Sequence, residues 1–318
     1  MNLWIIGNGF DIAHGLKTGY YDFAEFLYNR FIGKESDYSD FKKDILENLE
    51  QRNLNTFDLQ TTGKDGCGVS DSDSALFILK IIQDHSTDDS WNDFENSLGC
   101  LRYSEFSDND IPEFIDKDED KDPWKSSRTN EDASEKWIEV FKNVKRYFAE
   151  WASQISLDEI YEKKVIRDKF DESENLFLSF NYTKTLEEIY SIDEVIHIHG
   201  TIDKKDSIIF GHGRVLSEDE SENENLIGAE YNLSEIVRIT RKELQLKRLN
   251  ELNLDDITNV YVFGFSFGDV DMPYIEKLAS HQNIKEARWS IQNGADFVTK
   301  NLPKIKKLGV KNFNNGIR

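Results

Sequence analysis

Four short stretches of the chain bring together residue types able to do chemistry. The first is Gly7-Asn8-Gly9-Phe10-Asp11-Ile12-Ala13-His14-Gly15-Leu16, directly after the apolar run Met1–Ile6. A strand that turns through Gly-x-Gly into a helix lets backbone N–H groups approach a pyrophosphate, and a helix start favours an anion. The dinucleotide fingerprint wants a third glycine three positions after the second, where this chain has Ile12. A tight strand-to-helix turn without ligand is therefore the competing reading. The second stretch is Phe180-Asn181-Tyr182-Thr183 after the apolar Leu176–Phe180. Asn181 would stand at the carboxyl end of a sheet, where open α/β folds bind ligands; Thr183 serves equally well as a cap for a helix over Lys184–Tyr190.

The third stretch is His197-Ile198-His199-Gly200, with Gly211-His212-Gly213 behind it. Strand geometry puts His197 and His199 on one face. A hydrogen-bonded core histidine at 197 is the bland reading. A metal would need His-x-His plus His212 or Asp269 from a distant segment. A single histidine acting as general base near neutrality is preferred. The fourth is Val262–Asp271, with a literal Gly-x-Ser-x-Gly at Gly264–Gly268. A nucleophile elbow would need a later acid and then a histidine, yet His281 is the only later histidine and follows on the next helix, so a serine hydrolase fits poorly. Ser266 reads better as a donor to phosphate or ribose, with Asp269 or Asp271 capping the next helix. Trp91-Asn92-Asp93-Phe94-Glu95 adds a patch in which Asp93 or Glu95 could reach a pocket, although Trp and Phe at this spacing are ordinarily core contacts.

These residues need elements to hold them. Residues 1–6 read as a buried strand. Phe23, Phe26, Leu27 and Phe31 recur at helical spacing, as do Phe41, Ile45, Leu46 and Leu49. Phe57 to Ser74 is polar and glycine-rich and reads as a loop; Ala75–Gln83 reads as a buried helix. Trp137, Val140, Phe141, Val144, Phe148 and Trp151 form one apolar stripe. Residues 104–122 and 217–225 are acidic and read as solvated loops. Further on, apolar runs at Leu176–Phe180, Val195–Ile198, Ile208–Phe210, Val260–Phe263 and Ala287–Ile291 alternate with helical patterns at Lys184–Tyr190, Ser234–Leu249, Met272–Ala279 and Phe297–Lys307. The alternation predicts an α/β fold, a Rossmann-like, mostly parallel sheet with helices on both faces. Residues 1–30 and 166–318 would form that core, and residues 31–165 a helical insertion.

Composition narrows the function. Asp plus Glu is 61 against Lys plus Arg 39, a net charge of −22, which disfavours a phosphate backbone as partner. Two cysteines, Cys67 and Cys100, build neither a disulfide framework nor a four-cysteine zinc site. The apolar start is too short for a signal segment, and no uncharged run reaches membrane-spanning length. A cytoplasmic protein is the expectation.

Taken in order, these segments resemble the AbiH family of bacteriophage abortive-infection proteins. The resemblance rests on Gly7–Leu16 followed by Tyr20-Tyr21-Asp22-Phe23, on Trp91–Glu95, on Phe180–Thr183, on His197–Gly200 and on Gly264–Asp271. More distantly the chain is similar to sirtuin-like NAD-binding proteins. Gly7, Gly9, Gly15 and Leu16 match the spacing of their first glycine loop. Asn181 matches the asparagine beside the nicotinamide ribose and His199-Gly200 the catalytic His-Gly, while Phe210-Gly211 and Gly264–Ser266 match later pocket loops. Asp11 departs from this pattern, replacing a small hydroxyl residue near the phosphates. Thr183 stands where many NAD hydrolases of that kind carry Asp. The zinc-binding cysteines of the deacylases are missing, which argues against a protein deacylase.

The resemblance implies NAD or a related nucleotide as ligand. The expected reaction is hydrolysis of NAD to nicotinamide and ADP-ribose, with Asn181 and His199 catalytic. Gly7, Asn8, Gly9, Asp11, His14, Tyr182, Gly200, Gly211, His212, Gly264, Ser266, Asp269 and Asp271 would line the pocket. No resident metal is expected, and a protein partner, a phage trigger and self-association are left open. A nucleotide sensor without turnover, and a metal-dependent hydrolase or nuclease on His197, His199 and His212, are the alternatives.

Overall fold

The structure is a computed structural model describing residues 1–33, 61–62, 68–85, 94–95, 98, 123–204, 207–213, 228–292 and 301–316. Cys67, Cys100, Trp91, Asp93, the pattern at Phe41–Leu49 and the acidic stretches 104–122 and 217–225 lie outside the described residues. The chain divides into two compact units. The first takes Met1–Gly19, Ala149–Ile209 and Glu243–Arg318; the second takes Tyr20–Phe148 and Phe210–Lys242.

The first unit is built on a six-stranded sheet: β1 (Asn2–Ile6), β2 (Asn175–Ser179), β3 (Val195–His197), β4 (Asn259–Phe263), β5 (Arg288–Gln292) and β6 (Asn312–Asn315). Its strand order is β3-β2-β1-β4-β5-β6, and every pairing is parallel. This is a Rossmann-like order in which the chain reverses direction across the sheet between β1 and β4. Every residue of β1 is buried, as a central parallel strand covered on both faces must be. Alternation divides its side chains. Leu3 and Ile5 join Leu178, Val260, Val262, Trp289 and Ile291 on one face, where Tyr274, Ile275 and Leu278 of the helix Met272–Ala279 pack. Trp4 and Ile6 face the other way, with Phe10, Phe170, Phe177, Leu186 and Tyr190.

Register brings the functional ends level. Ile6 pairs with Ser179 and with Phe263, and Ser179 pairs with His197. The loops leaving β1, β2, β3 and β4 therefore emerge from one edge of the sheet. The amino ends are tied by asparagines: Asn2 Nδ2 donates to Asn175 Oδ1 at 3.1 Å, and Asn259 Nδ2 donates to Asn2 Oδ1 at 3.0 Å.

Several sequence expectations shift. The sheet is wholly parallel, and β6 was not foreseen, because Asn312–Asn315 carries a single apolar residue, Phe313. Ile208–Phe210 forms no strand; Ile209 N–H instead donates to His199 O at 2.9 Å.

The second unit is helical, with Tyr20–Phe31, Asp71–His85, Glu230–Thr240 and most of the long helix Pro123–Ala152, whose last turn belongs to the first unit. Trp137, Val140, Phe141, Val144 and Phe148 of the predicted stripe are buried. Phe148 stacks on Phe210 at 4.5 Å, and Phe94 and Phe23 complete an aromatic cluster. A two-stranded pair joins Thr61–Thr62 to Gly68–Val69. The helix expected over Ser234–Leu249 ends at Thr240, whose hydroxyl donates back to Ile236 O at 2.7 Å. The chain then extends so that Arg241 bridges His212, and only after that, in the first unit, does a 3-10 helix form at Leu246–Glu251.

Candidate functional site

Asn181 and His199 each stand two residues beyond a paired position, Ser179 and His197, so they leave neighbouring strands at the same level. Both are buried. The Asn181 amide is oriented by its surroundings: Nδ2 donates to Gly7 O at 3.1 Å, and the backbone N–H donates to Ser179 Oγ at 3.2 Å. Oδ1 is buried and has no hydrogen-bond partner among the described residues. A buried amide oxygen left this way loses solvation without compensation, which a ligand donor would repair.

His199 is held by a carboxylate. Its Nε2 lies 3.0 Å from Asp271 Oδ1, so the neutral ring donates N–H there and carries its lone pair on Nδ1. Asp271 occupies the N-cap position of the helix Met272–Ala279 but makes no side-chain cap bond; its carboxylate serves the histidine instead. Phe180, Tyr182 and Tyr274 surround the imidazole at centroid distances of 5.4, 5.8 and 6.3 Å. Tyr182 is itself fixed, its hydroxyl donating to Ile209 O at 2.9 Å. Gly200 follows at φ 79°, where an added Cβ would lie 2.0 Å from Ser207 O. Carboxylate, imidazole and an apolar surround make an oriented base.

His197 works differently from its neighbour. Nδ1 faces Asn181 O at 3.0 Å and Nε2 faces Glu187 Oε1 at 2.7 Å. Only the imidazolium donates to both acceptors. Arg248 donates to His197 O at 2.6 Å. Among the described residues no group of three or more His, Cys, Asp or Glu is placed to hold a metal ion, and the two histidines address different carboxylates.

The glycine loop departs from expectation in what its amides do. Gly7 N–H donates to Phe263 O and Gly9 N–H to Gly264 O, both at 2.9 Å. Those two donors are spent on the protein and do not point at a pyrophosphate. The glycines are required by contact between loops. A Cβ on Gly7 would lie 2.6 Å from Gly264 O, one on Gly9 2.7 Å from Gly264 Cα, and Gly264, at φ 67°, would meet Phe10 N at 2.3 Å. Asn8 Nδ2 donates to Thr18 O at 2.9 Å.

Asp11 is fully buried and faces Thr183 and Thr185, with Oγ1 atoms at 2.5 and 2.8 Å. Burial pushes its carboxyl up to about 6, while hydrogen bonds from Thr183, Thr185 and Asn181 and the charge of His197 pull the other way. His14 is occupied on both nitrogens: Nδ1–H donates to Phe10 O at 2.7 Å and Nε2 accepts from Tyr190 OH at 2.6 Å. Burial lowers its pKa and the Lys163 charge adds to that, while the Phe10 bond opposes it. Ser266 is exposed, and exposed Asp269 pairs with Lys304 Nζ at 2.7 Å. Phe267 between them is buried at φ 56°, a strained conformation for a bulky residue.

Gly211 and His212 belong to the second unit. Gly211 N–H donates to Glu95 Oε1 at 3.2 Å, and His212 is bracketed by backbone bonds to Thr240 O and from Lys242 N–H. Glu95 also pairs with Lys242 Nζ at 3.2 Å, a buried ion pair.

Sequence reasoning missed Thr185, Glu187, Tyr190, Arg248 and Tyr274. The spacing Asn181-Tyr182-Thr183-Lys184-Thr185 put two hydroxyls beside Asn181, a signal present but unread. Nothing local marked Arg248 or Tyr274.

The family model for bacteriophage abortive infection AbiH matches residues 3–293. The chain belongs to this family. No curated protein and no solved structure matches it. The AbiH match spans β1 through β5 and includes all the strand-end loops described above. Among the described residues, no helix is long and apolar enough to cross a membrane.

Proposed function

We propose that this AbiH chain acts in abortive infection by hydrolysing NAD to nicotinamide and ADP-ribose at the loops leaving β1, β2, β3 and β4. The observation that carries the reading is the Asp271–His199 pair beside Asn181, whose Oδ1 lacks a partner among the described residues. Both His199 Nδ1 and Asn181 Oδ1 are acceptors. They suit a ligand that presents hydroxyl donors, as a ribose does.

The glycosidic C–N bond breaks, nicotinamide leaves with the bonding electron pair, and water adds to the anomeric carbon. His199 takes a proton from the ribose hydroxyl or the attacking water, and Asp271 stabilises the imidazolium that results. Positive charge develops on the sugar in the transition state, and the fixed amide oxygen of Asn181 opposes it without reorganising. The likeness to sirtuin-like proteins noted in the sequence supports the same two residues. The pyrophosphate would be met by groups other than the Gly7 and Gly9 amides.

The test is chromatography of NAD incubated with wild type, His199→Ala and Asn181→Ala. Release of nicotinamide and ADP-ribose by wild type, with loss in both variants, is the expected result. Full turnover in both variants overturns the assignment of roles. Tight binding with intact NAD recovered would instead make the chain a nucleotide sensor.

A further inference from the structure

Asp11 is a buried titratable group that the chemistry above does not use. Its Oδ2 lies 2.5 Å from Thr183 Oγ1, its Oδ1 2.8 Å from Thr185 Oγ1, and the two hydroxyl oxygens are 3.0 Å apart. Three oxygen–oxygen contacts need three protons. The threonines supply two and a carboxylate none, so an ionised Asp11 leaves one contact unfilled. A carboxylic acid supplies the third and closes a ring. Asp11 O–H donates to Thr185, Thr185 donates to Thr183, and Thr183 donates to the other Asp11 oxygen.

We propose that Asp11 is a positioning residue that closes this ring as a neutral acid in mildly acidic solution, orienting Asn181 there, and opens it on ionising toward neutrality. Asn181 adjoins the ring: it acts on the Asp11 carboxyl, and Thr183, two residues on, bonds that carboxyl at 2.5 Å. Gly7 O engages Nδ2, which leaves Oδ1 without a partner among the described residues. The role in catalysis rests on the reading of Asn181 given above.

The charges around the ring agree with a neutral acid. His197 from β3 is the charged group acting on Asp11, and Glu187 of the helix Thr185–Tyr190 already answers it. His14, the C-cap of the short helix Asn8–Ala13 that carries Asp11, bonds Phe10 O and Tyr190 rather than the carboxyl. Burial outweighs the pull of its hydrogen bonds and raises the Asp11 carboxyl to about 6.

Three measurements test this on the full chain. In difference infrared spectra of ligand-free protein, a protonated-carboxyl stretch is expected at about pH 5, lost by about pH 8, and absent from Asp11→Asn. Its absence from wild type at the lower pH overturns the neutral acid. In thermal unfolding, Asp11→Asn rebuilds the ring with an amide at every pH. The wild-type Tm is therefore expected to fall relative to Asp11→Asn as pH rises through about 6. His14 titrates in both proteins and cancels. A constant difference overturns the titration. Finally, Thr183→Val breaks the ring with the acid in place. At about pH 5 it should weaken NAD affinity about tenfold, whereas Asp11→Asn retains at least several-fold more than Asp11→Ala. Equal losses in Asp11→Asn and Asp11→Ala overturn the positioning role. If wild type neither binds nor cleaves NAD, the NAD reading fails, and the two ligand-free measurements still decide the ring.

Discussion

At the scale of single residues, the two histidines of one strand end separate cleanly by partner. His199 has one carboxylate and an aromatic surround, whereas His197 is clasped between Asn181 O and Glu187. For the proposed hydrolysis of NAD, His199→Ala should lower kcat by a factor on the order of 100 to 10,000, the usual worth of a general base. Asp271→Asn, which reverses the donor facing Nε2, should cost about as much in kcat with little change in KM. Steady-state kinetics on NAD separates the two parameters.

Asp11 and His14 give the molecule opposing responses to pH. Asp11 is raised above its unfolded value, so its contribution is fully present below about pH 4 and lost as pH climbs through about 6. The loss is on the order of 3 kcal/mol. His14 is lowered, so its contribution is present above its unfolded value and lost in acid, as the ring that accepts from Tyr190 gains a proton. Asp11→Asn should flatten the first response and leave the second, as urea midpoints across that range would show.

Elements explain what the sequence disclosed and what it hid. The alternating apolar runs announced β1 to β5, most plainly the central strands, which must bury both faces. β6 escaped because an edge strand needs little apolar surface and Asn312–Asn315 has little. The long helix was legible from its stripe, yet the end of Glu230–Thr240 was not. That end depends on the backbone bridge from Arg241 to His212, a distant partner. In the site, Asn181, His199 and Asp271 stood in readable motifs, while Arg248 and Tyr274 arrive by tertiary packing alone. Gly-x-Gly suggested a phosphate loop; the requirement for glycine lies in the approach of a second loop. Gly264→Ala should accordingly cost several kcal/mol, since it combines strain at φ 67° with backbone overlap.

The buried pair in the helical unit belongs to this scale too. Lys242 has no exposed side-chain surface and Glu95 almost none. Glu95→Ala removes the carboxylate facing a buried cation and should destabilise by roughly 3–5 kcal/mol, whereas Glu95→Leu with Lys242→Met should recover most of that loss. Chemical denaturation of the single and double variants checks it.

Over the whole molecule, the charge of −22 and the central position of β1 set the behaviour. Duplex DNA should show no mobility shift with the protein at physiological salt, because no large cationic excess exists to release counterions. Hydrogen exchange should find the β1 amides opening only with global unfolding, slower than those of the edge strand β6.

The mutual grip of Gly7, Gly9 and Gly264 has a consequence in time. β1 and β4 pair across 257 residues of chain. At ~5–20 residues per second of synthesis, β1 waits tens of seconds for the strand that completes its sheet. The Asn181 and His199 loops are made before Gly264 arrives, but the Asp271 carboxylate that aims His199 comes later still. A nascent chain halted before that point carries an unaimed base, so the activity proposed here would begin only once the ribosome is well past Asp271.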